Sequence, residues 1–408
     1  MTTTIGFDPY NPDIIDDPYP AYEQLRDHSP VHFVDELDVW IVTRYDDVAQ
    51  ILHDPDTFSS AQGMGQLMAG GVGHNRIDAR DMFQIDLSAM RLLIATDPPD
   101  HTRLRRLLSR AFTPRAISDL EPHLREICDT LIDDLVAAAG DGHGDLVAQV
   151  AFPFPVIVIA ELLGIPPERR DDFKRWSDAL VGALSGSWNP TEAQQTLAEM
   201  FVYLADVVER RRHEPGDDLI SRLVTASDPD DPEALTAPEI TLFAILLLVA
   251  GNETTTNLIG NGAAALASHP DQAHLLAERP DLLPAAIEEV LRWDAPVQGL
   301  FRATTRPVTV AGVDLPAGAV LIASFAAANR DPRHFPEADR FDITRRPGDH
   351  LAFGHGIHYC LGASLARMEA RILGETLHSR GITLHPVGTA TRVDSTILRG
   401  FTTYPVTI

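Results

Sequence analysis

Cysteine and positive charge are both scarce in this sequence of 408 residues. Its only cysteines, Cys128 and Cys360, cannot form a disulfide framework, so a reducing, cytoplasmic compartment is expected. Cys128 falls within a helical pattern and is predicted to be a core residue. The chain has 33 Lys and Arg residues against 59 Asp and Glu residues, for a formal net charge of -26. That charge disfavours binding to nucleic acid or to an anionic membrane surface.

Targeting and nucleotide-binding signals are missing as well. The first residues, MTTTIGFDPYNPDIID, lack the basic and apolar regions of a signal peptide, and no membrane anchor is expected. The most apolar stretch, residues 240–250, is too short to cross a bilayer and is typical of a buried helix. The glycines of residues 63–73 lack P-loop and dinucleotide-binding spacing. We therefore expect no nucleotide-binding module in the chain.

Helical periodicity dominates the middle of the chain, and strand-like alternation is confined to its two ends. Helices are predicted at 101–112, 115–139, 155–163, 168–184, 191–213, 217–226, 237–267, 271–278, 284–293 and 362–379. Strands are predicted within 31–43, 307–324 and 391–408. The pattern predicts a mostly α fold with small peripheral β-sheets, in a single domain of residues 1–408, and not a doubly wound βαβ fold.

One segment, residues 61–91, shows neither the helical periodicity nor the strand-like alternation of apolar residues. It contains four of the seven methionines, which are Met64, Met68, Met82 and Met90. A long methionine-rich loop is either a surface excursion or an adaptable lid over an apolar site. Both interpretations stay open from the sequence.

Cys360 lies in the stretch FGHGIHYCLG, residues 353–362, which contains three glycines. With His350, His355 and His358 nearby, zinc ligation is one interpretation. A nucleophilic thiol with a histidine base is a second, and a thiolate ligand to haem iron is a third. The glycines favour the third, because a flat macrocycle must approach the backbone closely. The start of the helix that follows would stabilise a thiolate.

A second unusual stretch, AGNETTTN at residues 250–257, interrupts the long apolar helix predicted at 237–267. Thr236 and Glu239 have capping-box spacing at the start of this helix. Glycine and a run of threonines weaken a helix and can bend it where a small ligand must fit. A buried Glu253 is costly unless it is paired or handles protons. A tolerated polar turn, with Glu253 paired to an arginine, is the alternative interpretation.

Two groups of charged residues carry weaker signals. Glu289 and Arg292 are three residues apart and face the same side of a predicted helix, as many surface pairs do. A basic cluster within residues 95–115 consists of Arg103, Arg105, Arg106, Arg110 and Arg115. These arginines either balance nearby carboxylates, or some bind an anionic group while others dock an acidic partner.

These four features, in this order along the chain, closely resemble the cytochrome P450 family of haem-thiolate monooxygenases, most of all its soluble bacterial members. The resemblance runs from DPYPAYEQLRDHSPVH to LRGFTTYPVTI. It implies the cytochrome P450 fold, with a long central helix over haem b (iron protoporphyrin IX). Cys360 would be the proximal iron ligand, and the thiolate would favour cleavage of the O–O bond. Phe353 would pack near the sulfur and tune it, and His358 would reach a haem propionate.

The resemblance also implies roles for the other motifs. Ala250 and Gly251 would leave room for dioxygen. Glu253 and Thr254 match an acid–alcohol pair that delivers protons during oxygen activation. The residues that match further haem-propionate ligands are His101, Arg105 and Arg302. The residues that match a structural triad bracing the core around the haem loop are Glu289, Arg292 and Arg340.

An apolar small-molecule substrate is implied by the residues expected to surround it. They are Leu92, Ile94, Leu246, Val249, Ala250, Val297, Gly299, Leu300 and Phe401. Gln298 and Thr402 are expected to orient the substrate, and Arg91 or Arg399 to reach a carboxylate if it has one. A terpenoid or steroid-like skeleton is the first expectation, and a macrocycle or fatty chain the second.

Electrons would come from other proteins, because no fused reductase or ferredoxin domain is expected. The resemblance implies a small ferredoxin and a ferredoxin reductase, with NAD(P)H as the ultimate source. The predicted docking patch consists of Arg103, Arg106, Arg110 and Arg115, with Arg367 and Arg371. One alternative is a haem-thiolate oxidase or peroxygenase that needs no ferredoxin, against which Glu253 and Thr254 argue. Another is a haem sensor, for which no signalling domain is visible.

Overall fold

The structure, a computed structural model, describes residues 6–35, 37–68, 91–185, 189–227 and 233–408. These residues form two compact units. The first unit lies within Met1–Ser59, Pro122–Phe154 and Thr254–Ile408, and the second within Ser60–Glu121 and Pro155–Glu253. The boundary between Glu253 and Thr254 falls inside one long helix.

Helices make up most of the described chain, so the prediction of a mostly α fold is confirmed. In chain order they are α1 (Pro12–Asp16), α2 (Tyr19–His28), α3 (Tyr45–His53), α4 (Ser60–Met68), α5 (Asp100–Ala111), α6 (Pro114–Ser118), α7 (Glu121–Gly140), α8 (Pro153–Leu162), α9 (Arg170–Ser185), α10 (Pro190–His213), α11 (Leu219–Thr225), α12 (Ala237–Ser268), α13 (Pro270–Glu278), α14 (Leu283–Trp293), α15 (Phe325–Asn329) and α16 (Ala363–Ser379). Short 3-10 turns lie at Leu93–Ala95, Pro167–Arg169, Pro280–Leu282 and Gly356–His358, and a π-helical turn at Val147–Ala151.

The strands form small sheets, as predicted. In chain order they are β1 (Val31–Val34), β2 (Val39–Val42), β3 (Phe58–Ser59), β4 (Gly299–Thr304), β5 (Val308–Val310), β6 (Val313–Leu315), β7 (Val320–Ser324), β8 (His385–Pro386), β9 (Thr391–Arg392), β10 (Phe401–Thr403) and β11 (Val406–Thr407). The largest sheet has the order β1-β2-β7-β4-β3, in which only β2 and β7 are parallel. Three two-stranded sheets pair β5 with β6, β8 with β11 and β9 with β10.

The five-stranded sheet forms part of the core of the first unit. Strands β2 and β7 are almost continuous apolar runs, which is typical of strands covered on both faces. Val42 and Leu321 pack with Val48 and Ile51 of α3 in one cluster of buried side chains. This packing fixes β4, and with it Arg302, between β3 and β7.

Helices α9 and α10 of the second unit pack around Trp176. This side chain is fully buried, with its ring centre 6.1 Å from that of Phe173 and 5.2 Å from that of Tyr203. Phe112, directly after α5, packs edge-on against Phe243 of α12 at 6.1 Å. The contact positions α5 against the N-terminal half of α12 within this unit.

Helix α12 begins as its capping box predicts. The N–H of Thr236 donates to Glu239 Oε2 at 2.9 Å, and the N–H of Glu239 donates to Thr236 Oγ1 at 3.3 Å. The helix ends at Ser268, directly before His269 and a proline. By length and composition it could cross a membrane, but 61% of its most apolar window is buried inside the protein, as in a core helix.

Residues 61–91 are predicted to be a loop with neither helical nor strand-like periodicity, and this prediction is wrong for the first part of the segment. Helix α4 covers Ser60–Met68. The pattern predicts no helix there because Gly63 and Gly65 are poor helix formers. Residues 69–90, with the rest of the proposed methionine-rich lid, lie outside the described residues.

Candidate active site

The Cys360 loop, residues 353–360, closes on itself through its backbone. The N–H of Cys360 donates to the carbonyl of Phe353 at 2.9 Å, and the N–H of Tyr359 donates to the carbonyl of Gly356 at 3.2 Å. Cys360 forms no disulfide and is exposed. Helix α16 begins shortly after it, so the N–H groups at the start of the helix favour a thiolate.

Two glycines of this loop are required by its geometry. Gly354 has a φ of 68° and Gly356 a φ of 67°, in the left-handed region that favours glycine. A Cβ atom at Gly356 would also lie 2.3 Å from the carbonyl oxygen of Leu52, near the end of α3. Glycine at 354 and 356 therefore permits the turn, and glycine at 356 also permits close packing of the loop against α3.

The surroundings of Cys360 do not support the zinc interpretation. No three His, Cys, Asp or Glu side chains in the described part of the chain are arranged to hold a metal ion. His355 packs against His53 with the two rings tilted and their centres 4.1 Å apart. His350 binds Glu288 Oε2 through Nε2 at 3.0 Å. A haem iron needs only one ligand from the loop, so a single thiol fits the haem interpretation.

Each unit contains one histidine and one arginine predicted to bind propionates. In the first unit, Arg302 is 4% exposed and donates through NH1 to the carbonyl of Phe301 at 2.8 Å. His358 ends the 3-10 turn of the Cys360 loop. In the second unit, His101 and Arg105 lie one turn apart on α5, and His101 is 2% exposed. Ring nitrogens and guanidinium groups are suitable donors to carboxylates.

The polar residues in the middle of α12 include two that bind neighbouring elements. Asn252 Nδ2 donates to the Ser177 hydroxyl at 2.6 Å, within the second unit. Thr256 Oγ1 donates to a backbone carbonyl at 2.9 Å, within the first unit. These bonds give both residues a structural role. Glu253, which is 8% exposed, and Thr254 lie between them on α12, and their role as an acid–alcohol pair stays a prediction.

Gly251 has a packing role that the sequence does not reveal. A Cβ atom there would lie 2.6 Å from Cδ1 of Ile159 on α8. Glycine thus allows α8 and α12 to approach closely within the second unit. That Ala250 and Gly251 leave room for dioxygen stays a prediction.

Glu289 and Arg292 of α14 form a fully buried ion pair. Nε and NH2 of Arg292 each donate to one carboxylate oxygen at 2.8 Å, and both side chains are 0% exposed. NH1 of Arg292 also donates to the carbonyls of Asn329 and Ala338, at 3.0 and 2.8 Å. The pair therefore joins α14 to α15 and to the segment before the Cys360 loop, as predicted for a structural pair.

The third arginine of this group is Arg345, and the prediction of Arg340 is wrong. The Arg340 side chain is 59% exposed and pairs with Glu337 at 3.1 Å, so only its carbonyl reaches Arg292. Nε of Arg345 lies 3.4 Å from Glu289 Oε1, and Arg345 is 16% exposed. The N–H of Asp342 donates to the same oxygen at 2.9 Å. This bond directs the chain so that Arg345, three residues after Asp342, lies beside the Glu289 carboxylate.

Known proteins resemble this chain along almost its whole length. The family model "Cytochrome P450" matches residues 38–379. The chain is 42% identical over 397 residues to Vitamin D(3) 25-hydroxylase from Pseudonocardia autotrophica, covering 96% of this chain and 94% of that protein. It is 40% identical to Mycinamicin IV hydroxylase/epoxidase from Micromonospora griseorubida, covering 94% of each. The crystal structure of CYP109E1 from Bacillus megaterium in complex with testosterone matches with a TM-score of 0.82 and 35% identity, covering 96% of this chain and 97% of that one. The chain belongs to the cytochrome P450 family.

This cytochrome P450 is an oxidoreductase that incorporates oxygen, and its family implies a haem iron as cofactor. The residues present fit that group. An exposed thiol follows a turn that two positive-φ glycines, Gly354 and Gly356, make possible. The donors predicted for the propionates are imidazole and guanidinium groups, the types that bind carboxylates.

The residues predicted to contact substrate occur in both units. In the second, Leu92 lines a small pocket together with Leu104, Leu108 and Phe243, and Ile94 lies in the adjacent 3-10 turn. Leu246 and Val249 belong to α12, just before Ala250. In the first unit, Gly299 and Leu300 begin β4, and Val297 forms a β-bridge with Leu398.

Phe401 has contacts that favour packing over substrate binding. A Cβ atom at Gly260 would lie 3.2 Å from its ring, and Tyr404 packs edge-on against it with ring centres 5.0 Å apart. The Arg392 guanidinium lies over the ring at 4.0 Å. Gly260 is six positions beyond Thr254 on α12, so these contacts lie about 9 Å further along the helix.

The polar groups expected to orient the substrate are engaged elsewhere. Gln298 and Thr402 donate to backbone carbonyls at 2.8 and 3.3 Å. Arg91 and Arg399 pair with aspartate carboxylates at 2.8 and 2.5 Å. All four side chains are therefore engaged with other groups of the protein.

Several arginines of the predicted docking patch are bound to glutamates of their own unit. Arg103 binds Glu239 and is only 12% exposed, so it is not available to a partner and its inclusion in the patch is wrong. Arg106, Arg367 and Arg371 pair with glutamates at 3.2, 2.6 and 3.1 Å. The remaining members of the patch are exposed, and they are Arg110 and Arg115.

Proposed function

We propose that this cytochrome P450 hydroxylates or epoxidises a bulky apolar small molecule, and that residues 1–408 form a single haem domain. The observation that carries the proposal is the pair Glu253 and Thr254, adjacent residues in the middle of a long, largely buried apolar helix. A buried carboxyl group beside an alcohol suits proton delivery. A dedicated peroxide-driven enzyme has no need for this pair.

Each site residue has a role in this proposal. Bound at Cys360, haem b would supply the oxidising chemistry. The Thr254 hydroxyl would donate a hydrogen bond at the reaction centre. The Glu253 carboxyl would relay protons from solvent to that centre. One oxygen atom enters the substrate, and the other leaves as water after taking up two electrons and two protons. The residues proposed to bind the propionates are His101, Arg105, Arg302 and His358.

The proposed substrate is a steroid-like or terpenoid molecule. One relative is named a vitamin D(3) hydroxylase, and a structural neighbour binds testosterone. The relative named mycinamicin IV hydroxylase/epoxidase supports a macrocycle as the second candidate. The engaged polar groups at Gln298, Arg91 and Arg399 agree with a largely apolar ligand.

The proposed electron route starts from NAD(P)H and passes through a ferredoxin reductase and a small ferredoxin in the cytoplasm. The exposed arginines Arg110 and Arg115 are the proposed contacts for an acidic ferredoxin.

A two-part experiment tests the function. The reduced, carbon-monoxide-bound spectrum should show a red-shifted thiolate band, and Cys360→Ala should abolish it. The ferric enzyme is then titrated with vitamin D3, testosterone, a mycinamicin macrolide and a fatty acid, and the low- to high-spin shift is recorded. We expect the sterols to give the largest shift.

Turnover then separates the monooxygenase from its alternatives. With dioxygen, NADPH, ferredoxin and reductase, we expect hydroxylated product whose yield per NADPH falls at least about tenfold in Thr254→Ala, the scale of a lost proton-transfer residue. Thr255→Ala is the matched control, because Thr255 is 3% exposed and carries no proposed proton role. Product that forms only with peroxide, equally in both variants, would favour a peroxygenase. No product under any condition would favour a haem sensor.

A further inference from the structure

Arg367 of α16 contacts the Cys360 loop at two points. Its guanidinium carbon lies 4.4 Å from the centre of the Phe353 ring. Its NH1 group donates to the hydroxyl of Tyr359 at 3.2 Å. Tyr359 directly precedes Cys360, and the carbonyl of Phe353 accepts the Cys360 N–H. A displacement of Arg367 would therefore reach the thiol through residues that touch both.

Glu288 of α14 fixes the position of Arg367. Its carboxylate oxygens lie 2.6 Å from Nε and 2.8 Å from NH2 of Arg367, which is a bidentate ion pair. Burial by itself raises the pKa of Glu288, but hydrogen bonds from Arg367 and His350 outweigh it and lower the pKa to about 2. Hydrogen bonding to Glu288 raises the pKa of Arg367. Both groups are therefore charged at neutral pH.

His350 links the same carboxylate to the start of the loop. Its Nδ1 accepts the N–H of Ala352 at 3.2 Å, which assigns the ring hydrogen to Nε2. Nε2 donates to Glu288 at 3.0 Å, and the histidine is 7% exposed. One ion pair thus anchors the loop region at His350, Phe353 and Tyr359.

We propose that the Glu288–Arg367 ion pair is an electrostatic brace that positions the Cys360 loop and sets the reduction potential of the iron bound there. The inference rests on the proposed role of Cys360 as the iron ligand. Glu288 and Arg367 are positioning residues, which act through Phe353 and Tyr359. Their charges compensate each other, so the loss of either one leaves an unbalanced charge near the thiolate. This assignment removes Arg367 from the docking patch.

Two single variants separate this electrostatic role from a merely structural one. Arg367→Met leaves the Glu288 carboxylate uncompensated, which favours the ferric state and lowers the midpoint potential. Glu288→Gln leaves the guanidinium uncompensated and raises the potential. Spectroelectrochemical titration of the substrate-free holoenzyme measures both. Shifts in the same direction, or none in either variant, would overturn the proposal.

Further variants sharpen the test. Arg367→Lys keeps the charge, and its potential should stay close to that of the wild type. The double variant Arg367→Met/Glu288→Gln should have a potential between those of the two single variants. Arg380→Met is the matched control, because Arg380 follows α16, pairs with Asp133 at 2.5 Å and is 31% exposed, against 33% for Arg367. Its potential should not change.

The test remains decisive if Arg367→Met fails to fold. A raised potential in Glu288→Gln, with a wild-type value in Arg367→Lys, then supports the proposal, and an unchanged potential in Glu288→Gln overturns it. The carbon-monoxide spectrum of the reduced wild type separates the two levels of inference. A missing thiolate band overturns the role of Cys360 and the brace together. A normal thiolate band without opposite shifts overturns the brace alone.

Discussion

At the scale of single residues, Glu369 departs far from the ordinary chemistry of a carboxyl group. It lies on α16, is 2% exposed, and its Oε2 has no hydrogen-bond partner among the described residues. Burial raises its pKa from 4.5 to about 8. At pH 7, Glu369 is therefore mostly protonated in the folded protein and ionised in the unfolded chain. The contribution of protonated Glu369 to the free energy of unfolding is fully present below pH 4.5 and is lost as the pH rises through about 8.

Glu369→Gln should remove this pH dependence, because the amide imitates the protonated acid. We expect the thermal midpoint of the variant to exceed that of the wild type by an amount that grows between pH 5 and 8, as the free-energy difference grows by at most about 1.4 kcal/mol per pH unit. Glu375→Gln is the control on the same helix. Glu375 pairs with Arg125 and Arg371, so its loss should destabilise the protein at neutral pH. Parallel stability curves for Glu369→Gln and the wild type would contradict the raised pKa.

The choice between Arg345 and Arg340 shows what single residues in a sequence cannot reveal. The spacing of Glu289 and Arg292 predicts their pairing, because residues three apart on a helix are neighbours. Arg340 and Arg345 both follow in an irregular segment, where spacing carries no such rule. Arg345 reaches Glu289 because the N–H of Asp342 binds the same carboxylate, a contact between residues 53 positions apart.

At the scale of elements, the difference between local and distant contacts along the sequence explains which helices and strands could be predicted. The long helices were predictable because the periodicity of apolar residues and the capping residues both lie within the helix's own stretch of sequence. The capping box of Thr236 and Glu239 at the start of α12 is an example. The short helices α1 and α15 lack enough turns for a period. Strand β3, Phe58–Ser59, exists only because it pairs with residues of β4 more than two hundred positions away. Such pairing depends on tertiary structure and leaves no pattern in two residues.

The contact between α3 and the Cys360 loop gives a prediction at this scale. Gly356→Ala places a Cβ atom 2.3 Å from the Leu52 carbonyl and forces a left-handed alanine. Gly381→Ala is the matched control, since its φ is 65° but nothing lies within 4 Å of its Cβ position. We expect the control to cost about 1–2 kcal/mol from the backbone alone. Gly356→Ala should cost clearly more and should speed haem transfer to a scavenger protein. Equal effects in both variants would contradict the close contact.

At the scale of the whole molecule, the net charge of -26 opposes the binding of an acidic ferredoxin. Docking must then depend on a local positive surface. Ion pairs with glutamates of the protein engage most arginines of the predicted patch, which leaves Arg110 and Arg115 as exposed members that pair with no carboxylate of the described residues. Local attraction and long-range repulsion act on the same association rate, so a test must hold the net charge constant.

Arg110→Glu/Arg115→Glu should slow the second-order transfer of the first electron from reduced ferredoxin by about tenfold or more at low salt. The control Arg212→Glu/Arg279→Glu makes the same change in net charge at two other exposed arginines, which are 42% and 58% exposed. Stopped-flow kinetics should show less than about a twofold effect there. Added salt should reduce the difference between the two variants, because it screens exposed charges. Substrate dissociation constants should stay unchanged in both. Equal slowing would assign the effect to net charge and remove Arg110 and Arg115 from the docking surface.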